Sequence, residues 1–216
     1  MRGRRMNHRA ASGINSMNPV AREGSRRLDR ALVEQARRGD IDAFEAIVRS
    51  RIDAVYRLSL AILGDEADAR DATQETFVAA WRRIGSVRDL DRFDAWLQRI
   101  AVNAARMALR ARRRRLVREI PSDDVVRLAA ATPGERSAGL DGIETAGDRA
   151  SDGDRLGRAM GRLSLDQRTI LALHHLEGHG LDEIAATLGI PVGTAKSRLF
   201  TARRALAAAV AAEADR

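Results

Sequence analysis

From Leu28 to about Arg115 apolar positions recur every three or four residues with few breaks, a pattern that predicts helices rather than strands. A first helix is expected over about Leu28 to Arg38, ended by Gly39, with Asp40 placed to cap the next. The second, near Ile41 to Leu63, carries Phe44, Ile47, Val48, Ile52, Val55, Leu58 and Ile62 as one broad apolar stripe. Gly64 ends it and Asp65 is the following N-cap. The third, near Glu66 to Ile84, turns Phe77, Ala80, Trp81 and Ile84 inward. It leaves Asp68, Asp71, Gln74 and Glu75 on an outer face. After a loop from Gly85 to Asp91, a fourth helix runs from about Arg92 to Arg115. It starts with Phe93, Trp96, Leu97 and Ile100 and ends in the run RARRRR. Four helices with short connections make a compact all-α domain.

The pattern then changes twice. From about Leu116 to Gly153 periodicity fades among prolines, glycines and scattered carboxylates, which reads as a flexible linker. It resumes near Asp154, where Leu156, Met160 and Leu163 lead to Ser164, a cap for a helix reaching about Leu176. The stretch LDEIAATLGIPVGTAKSRLFTARRAL, Leu181 to Leu206, follows. Leu181, Ile184, Ala185 and Leu188 form one apolar face, and Gly189 suits a left-handed C-cap. Ile190 is extended ahead of Pro191. A second helix opens near Val192 to Thr194, with Leu199, Ala202 and Leu206 inward and Lys196, Ser197, Arg198, Arg203 and Arg204 outward. This is a helix-turn-helix with a basic second helix, the arrangement that enters a major groove.

Composition sharpens that picture. The 216 residues carry a formal charge of +8, with a sequence pI near 11.2, so a polyanionic partner is the first expectation. Nearly all the positive charge is arginine, Lys196 being the lone lysine, and GC-rich coding accounts for most of that bias. The positions of the arginines therefore matter more than their number. There is no cysteine, which excludes disulfides and thiolate metal sites. Residues 1–27 read as a disordered basic tail without the apolar core of a signal peptide. No apolar run is long enough to span a bilayer, so no membrane insertion is expected and a cytoplasmic protein is the economical reading. His174, His175 and His179 straddle a helix end and a Gly turn, a poor spacing for a shared metal. No cofactor, metal or catalytic motif is visible.

Three stretches carry a resemblance. QETFVAAWR (Gln74 to Arg82), WLQRIAVNAAR (Trp96 to Arg106) and EIAATLGIPVGTAKSRLFTARRAL resemble, in that order across a linker, parts of a bacterial RNA polymerase sigma factor of the extracytoplasmic-function group. The resemblance implies two small helical domains. Region two would occupy residues 28–115, the linker 116–153 and region four 154–212. Such a protein binds core polymerase and directs promoter-specific initiation, catalysing nothing itself.

Roles follow residue by residue. In the second helix of a helix-turn-helix the first turns reach base edges, which selects Lys196, Ser197 and Arg198 for the upstream (−35) element. Thr194 is placed to offer N–H and hydroxyl to a phosphate at the helix N-terminus. Arg203 is placed to hold backbone, and Phe200 matches a position near the bases in relatives. The resemblance implies that Asp71, Gln74 and Glu75 face the β′ clamp helices, with the β flap a further polymerase contact. It implies that Asn103 and its neighbours touch the melted −10 strand, and that the Gly85 to Asp91 loop receives a flipped base. Arg99, Arg106, Arg110 and the Arg112 to Arg115 run supply a phosphate track. Aromatic residues at helical spacing pack in cores first, yet Trp81 also stands among the −10 candidates because open strands stack on aromatic surfaces. Relatives often carry Arg in place of Thr201, Glu in place of Arg70 and an apolar residue in place of Thr73. An anti-sigma partner is expected from the resemblance alone. A stand-alone helix-turn-helix regulator is the principal alternative; an enzyme with an appended DNA-binding domain would need an active site that the sequence does not show.

Overall fold

The structure, a computed structural model, describes residues 29–119 and 152–214. Within them every regular element is a helix. The basic tail and most of the linker, residues 120–151, lie outside the described residues.

The first half holds α1 (29–37), α2 (Ile41–Leu63), α3 (Glu66–Arg83) and α4 (Phe93–Glu119). Their ends are where local chemistry puts them. Asp40 accepts from the Ala43 amide at 3.0 Å and Asp65 from the Asp68 amide at 2.9 Å, each satisfying a donor that the first helical turn leaves orphaned. Gly64 closes α2 at φ 71°, a backbone region that any residue with a Cβ enters at a cost. The core is made by Phe44, Ile47, Val55, Leu58 and Ile62 of α2, Phe77 and Ala80 of α3, and Leu97, Ala101, Val102 and Ala105 of α4. Ile52, expected in the α2 stripe, is 42% exposed. At 3.6 residues per turn it sits roughly 90° from the stripe's centre, so it borders the core without entering it. Asp68 also departs from expectation. Instead of joining the outer acidic face of α3, it turns to α4 and accepts from Arg112 at 3.2 Å. The fourth helix runs on past Arg115 to Glu119.

The second half holds α5 (Asp152–Gly161), α6 (Leu165–His175), α7 (Leu181–Leu188) and α8 (Val192–Ala214). Ser164 heads α6 in a capping box. Its hydroxyl accepts from the Gln167 amide at 3.3 Å, and its own amide donates to Gln167 Oε1 at 2.9 Å. Such a cap contributes about 1 kcal/mol. Gly189 ends α7 at φ 66°, and the Ile190 amide bonds back to the Ala185 carbonyl, which fixes the turn into α8. Ile184, Ala185, Leu199 and Ala202 are buried between the two helices and α6, as the apolar pattern predicts, and Ala195 joins them. Leu156 on α5 is 48% exposed. Glu213, near the end of α8, is buried and binds Arg158 at 2.8 Å and Arg162, tying the C-terminus to α5.

The two halves share one apolar core. α2 packs on α6 and α4 on α7. Polar contacts line the seam. Buried Arg168 donates to the Leu63 carbonyl at 3.3 Å, supplying a cation and a donor to the C-terminal end of α2. Gln98 donates to Glu177 at 3.0 Å and accepts from His179 Nε2.

Candidate nucleic-acid and polymerase interfaces

The helix-turn-helix presents its second helix outward. Lys196, Ser197, Arg198, Phe200 and Arg203 are exposed on α8, and Thr194 is half-buried in its first turn. Small local bonds keep this face in order. Ser197 Oγ donates to the Thr194 carbonyl and Thr201 Oγ1 to the Ser197 carbonyl, both at 3.0 Å. Thr201 thus spends its hydroxyl on its own helix. Phe200 is 63% exposed, with the Arg204 guanidinium 5.9 Å from its ring centre. That is within reach of a cation–π contact and holds the ring at the surface. Arg198 does not stand free: it lies 3.8 Å from Asp166 of α6. Arg203 faces His175, its Nε 3.4 Å from the imidazole. The His175 pKa is lowered, by burial first and then by the neighbouring His174 and Arg203.

Along α4, Arg99, Asn103, Arg106 and Arg110 fall at helical spacing on one face; Arg106 is half-buried and the other three are exposed. Beside them Met107 is 65% exposed. A polar residue in an otherwise apolar stretch is thus explained: Asn103 points out of the core that Val102, Ala104 and Ala105 build. Arg106 is committed to Asp166, donating at 3.2 Å. The basic run is divided too. Arg112 is held by Asp68 and Arg114 is exposed, while the side chains of Arg113 and Arg115 lie outside the described residues.

Trp81 is neither core nor free. It packs against Phe44 with ring centres 4.9 Å apart and stays 38% exposed, so one face is seated and the other open. Trp96 packs against buried Phe93 at 5.5 Å. The segment between α3 and α4 is built of two 3₁₀ turns, Ile84–Ser86 and Leu90–Arg92, pinned by buried Val87. Asp89 accepts from the Asp91 amide at 3.0 Å and shapes the second turn. The loop is therefore a preformed surface feature.

On α3, Asp71, Gln74 and Glu75 are exposed together. Thr73 is buried, its hydroxyl donating to the Ala69 carbonyl at 2.7 Å. Arg70 pairs outside with Glu66 at 2.7 Å. Both side chains are thereby satisfied within α3.

The three histidines are used elsewhere. His174 Nδ1 lies 3.0 Å from the His179 carbonyl, and His179 bridges Gln98 and Glu183. Glu183 has its pKa lowered, chiefly by the Gly180 amide that donates to it. Sequence reasoning missed the residues of the seam, Gln98, Asp166, Arg168 and Glu177. Burial raises the Glu177 pKa despite favourable contacts from His179 and Gln98. Nothing local announces such residues, because their partners across the seam lie 60 to 105 positions away.

Two helical domains, one with a basic helix-turn-helix and one with a polar and arginine-bearing helix beside an acidic face, define a protein that binds both nucleic acid and another protein. Residues 47–115 match the family Sigma-70 region 2 and residues 153–206 match Sigma-70, region 4. The chain is 36% identical over 182 residues to the RNA polymerase sigma-H factor of Pseudomonas aeruginosa, covering 82% of this chain and 91% of that protein. It is 34% identical over 181 residues to the ECF RNA polymerase sigma-E factor of Escherichia coli, covering 82% and 92%. Among solved structures it resembles RpoE of Bartonella quintana, described as a sigma factor in complex with the anti-sigma factor NepR. The TM-score is 0.59 at 25% identity, covering 79% of this chain and 98% of the other. It also resembles CnrH, solved with the cytosolic domain of CnrY, at TM-score 0.55 and 28% identity, covering 86% and 98%. The chain belongs to the sigma-70 family, in the extracytoplasmic-function group of RNA polymerase sigma factors. It directs promoter-specific transcription initiation with RNA polymerase.

Proposed function

We propose that the two domains divide the promoter between them. α8 reads the −35 element as duplex: Lys196 and Arg198 donate to guanine edges, Ser197 and Phe200 meet neighbouring bases, and Thr194 and Arg203 hold phosphates. α4 meets the −10 element, with Asn103 contacting a base and Arg99, Arg106 and Arg110 following the strand. Trp81 offers its open face as a stacking surface for an unpaired base. Asp71, Gln74 and Glu75 dock on the β′ clamp helices, with the β flap as a second anchor. The domain limits that go with this division are 28–115 and 154–212, with a linker between them. The protein itself catalyses nothing, since the polymerase performs the chemistry, and it acts in the cytoplasm. No described helix is long and apolar enough to cross a membrane. That RpoE of Bartonella quintana is bound by the anti-sigma factor NepR in its solved structure supports an anti-sigma partner for this chain as well.

The observation that carries the reading is the exposure of Asn103 in the middle of an otherwise buried apolar run. A solvent-facing amide flanked by arginines suits a single strand, whose base edges are free. Asn103→Ala with Arg99→Ala is expected to slow promoter opening by about tenfold or more, the loss of one to two contacts of ~1–3 kcal/mol. A template already unpaired at −10 restores most of the rate. Defects unaffected by pre-melting would place these residues elsewhere. The test is open-complex formation on the two templates.

A further inference from the structure

We propose that His175 is a further promoter-binding residue: its imidazole and the Arg203 guanidinium form one phosphate site at the edge of the helix-turn-helix, so that gripping the −35 element takes up a proton. This rests on the assignment of Arg203 to a backbone phosphate.

Arg203 has an unusual partner. Arg106 and Arg198 lie against Asp166 and Arg112 against Asp68, whereas Arg203 turns its Nε to the His175 ring at 3.4 Å. Arg203 follows Lys196 by seven residues, about two turns, so it lies within roughly 20° of the same side of α8 and about 10 Å further along it. His175 is the last residue of α6, and both side chains are exposed. Two groups able to carry positive charge, from different helices, thus meet at the flank of the reading face. A guanidinium nitrogen can only donate, so His175 Nε2 accepts and the ring proton sits on Nδ1. In that state the ring is neutral: it orients Arg203 and adds no charge.

Protonation of His175 is opposed in the free chain. Its pKa is lowered by partial burial first, then by His174 of its own helix, whose ring stands edge-on at 4.8 Å, and by Arg203 of α8. His174 is itself fixed, its Nδ1 donating to the His179 carbonyl at 3.0 Å. A phosphate between His175 and Arg203 reverses the balance. Its charge offsets Arg203, and a protonated Nε2 donates to one oxygen while the guanidinium fork takes others. The C-terminal end of α6 favours the same cation, because its carbonyls carry partial negative charge. The His175 pKa therefore rises on binding, and the complex holds one proton more than the free partners. Affinity is greatest below the free-chain pKa, which lies under the ordinary 6.5 of histidine, and falls as pH rises through the bound value. One proton changes affinity by at most about tenfold per pH unit.

The test is binding of the full-length chain to a fluorescent −35 duplex, from about pH 6 to about pH 8 and over a range of salt. His175→Gln keeps an acceptor for Arg203 but cannot take the proton. The parent should bind about fivefold or more tightly than this variant near pH 6, and equally near pH 8. Taking the ratio cancels the other histidines, which both proteins share. The parent's salt dependence should also be steeper near pH 6 only, since one phosphate contact adds ~0.9 to the slope. His175→Arg, a permanent cation, should keep the tighter binding and lose the pH dependence. The proposal is overturned if the ratio of parent to His175→Gln is the same at both pH values. It is likewise overturned if their salt slopes coincide near pH 6. Arg203→Ala separates the two claims, and should weaken binding at both pH values. If it does so while His175→Gln follows the parent, His175 alone is misassigned. If Arg203→Ala binds as its parent does, the phosphate assignment of Arg203 falls and the proposal with it.

Discussion

Replacing Lys196 and Arg198 together with alanine is expected to remove most upstream promoter selection while leaving polymerase binding intact. Both side chains are exposed in the first turns of α8, and the buried Ala195 and Leu199 that seat the helix are untouched. A bidentate base contact discriminates by ~1–3 kcal/mol, so preference for the correct −35 element over a scrambled one should fall by about tenfold or more. The measurement is initiation from matched and scrambled promoters by the reconstituted holoenzyme, alongside affinity for core. An equal loss of core affinity would mean that α8, and not α3, carries the dock.

The second large effect belongs to α3. Asp71→Arg with Glu75→Arg should weaken core binding by about a hundredfold or more, since like charges brought together at an interface cost several kcal/mol. Both residues are exposed, and the buried Ala72, Thr76 and Phe77 between and beside them keep the helix packed. Circular dichroism should therefore be unchanged, and affinity of the free chain for the −35 duplex should not fall. Competition for core against the parent protein reads the effect. A variant that competes as well as its parent would remove the acidic face from the dock.

Much of this architecture is written locally in the chain. Asp40, Asp65 and Ser164 act as caps because their oxygens sit three residues ahead of orphaned amides, a relation that involves neighbours only. Gly64 and Gly189 end helices for an equally local reason, their positive φ. The helix-turn-helix was legible because apolar spacing, a glycine and a proline all agree there. What was not legible depends on distant partners. Asp68 looks like one more surface carboxylate until Arg112 comes alongside it. Ile52 counts as core by spacing alone and lies at the stripe's edge once a real helix is wound. Trp81 is divided between Phe44 and solvent, which no period in the sequence can express. The seam is the extreme case: Gln98, Asp166, Arg168 and Glu177 gain meaning only when the two domains meet.

That meeting also alters what the helix-turn-helix is for. Exposed as a surface, it still has Arg198 3.8 Å from the Asp166 carboxylate, which also pairs with Arg106 of α4. A modest grip at each element suffices when polymerase links them, because the second contact then forms at high effective concentration. Weak free-chain binding and strong holoenzyme binding are thus expected from one arrangement.

The central claim is that this chain confers promoter choice on polymerase through two separated readers. Reconstituted run-off transcription with core polymerase on a promoter library tests it most directly. The account predicts that added protein selects a class of templates sharing two spaced elements, and that core alone selects none. Transcripts no different with and without the protein, or a selected class sharing only one element, would contradict it.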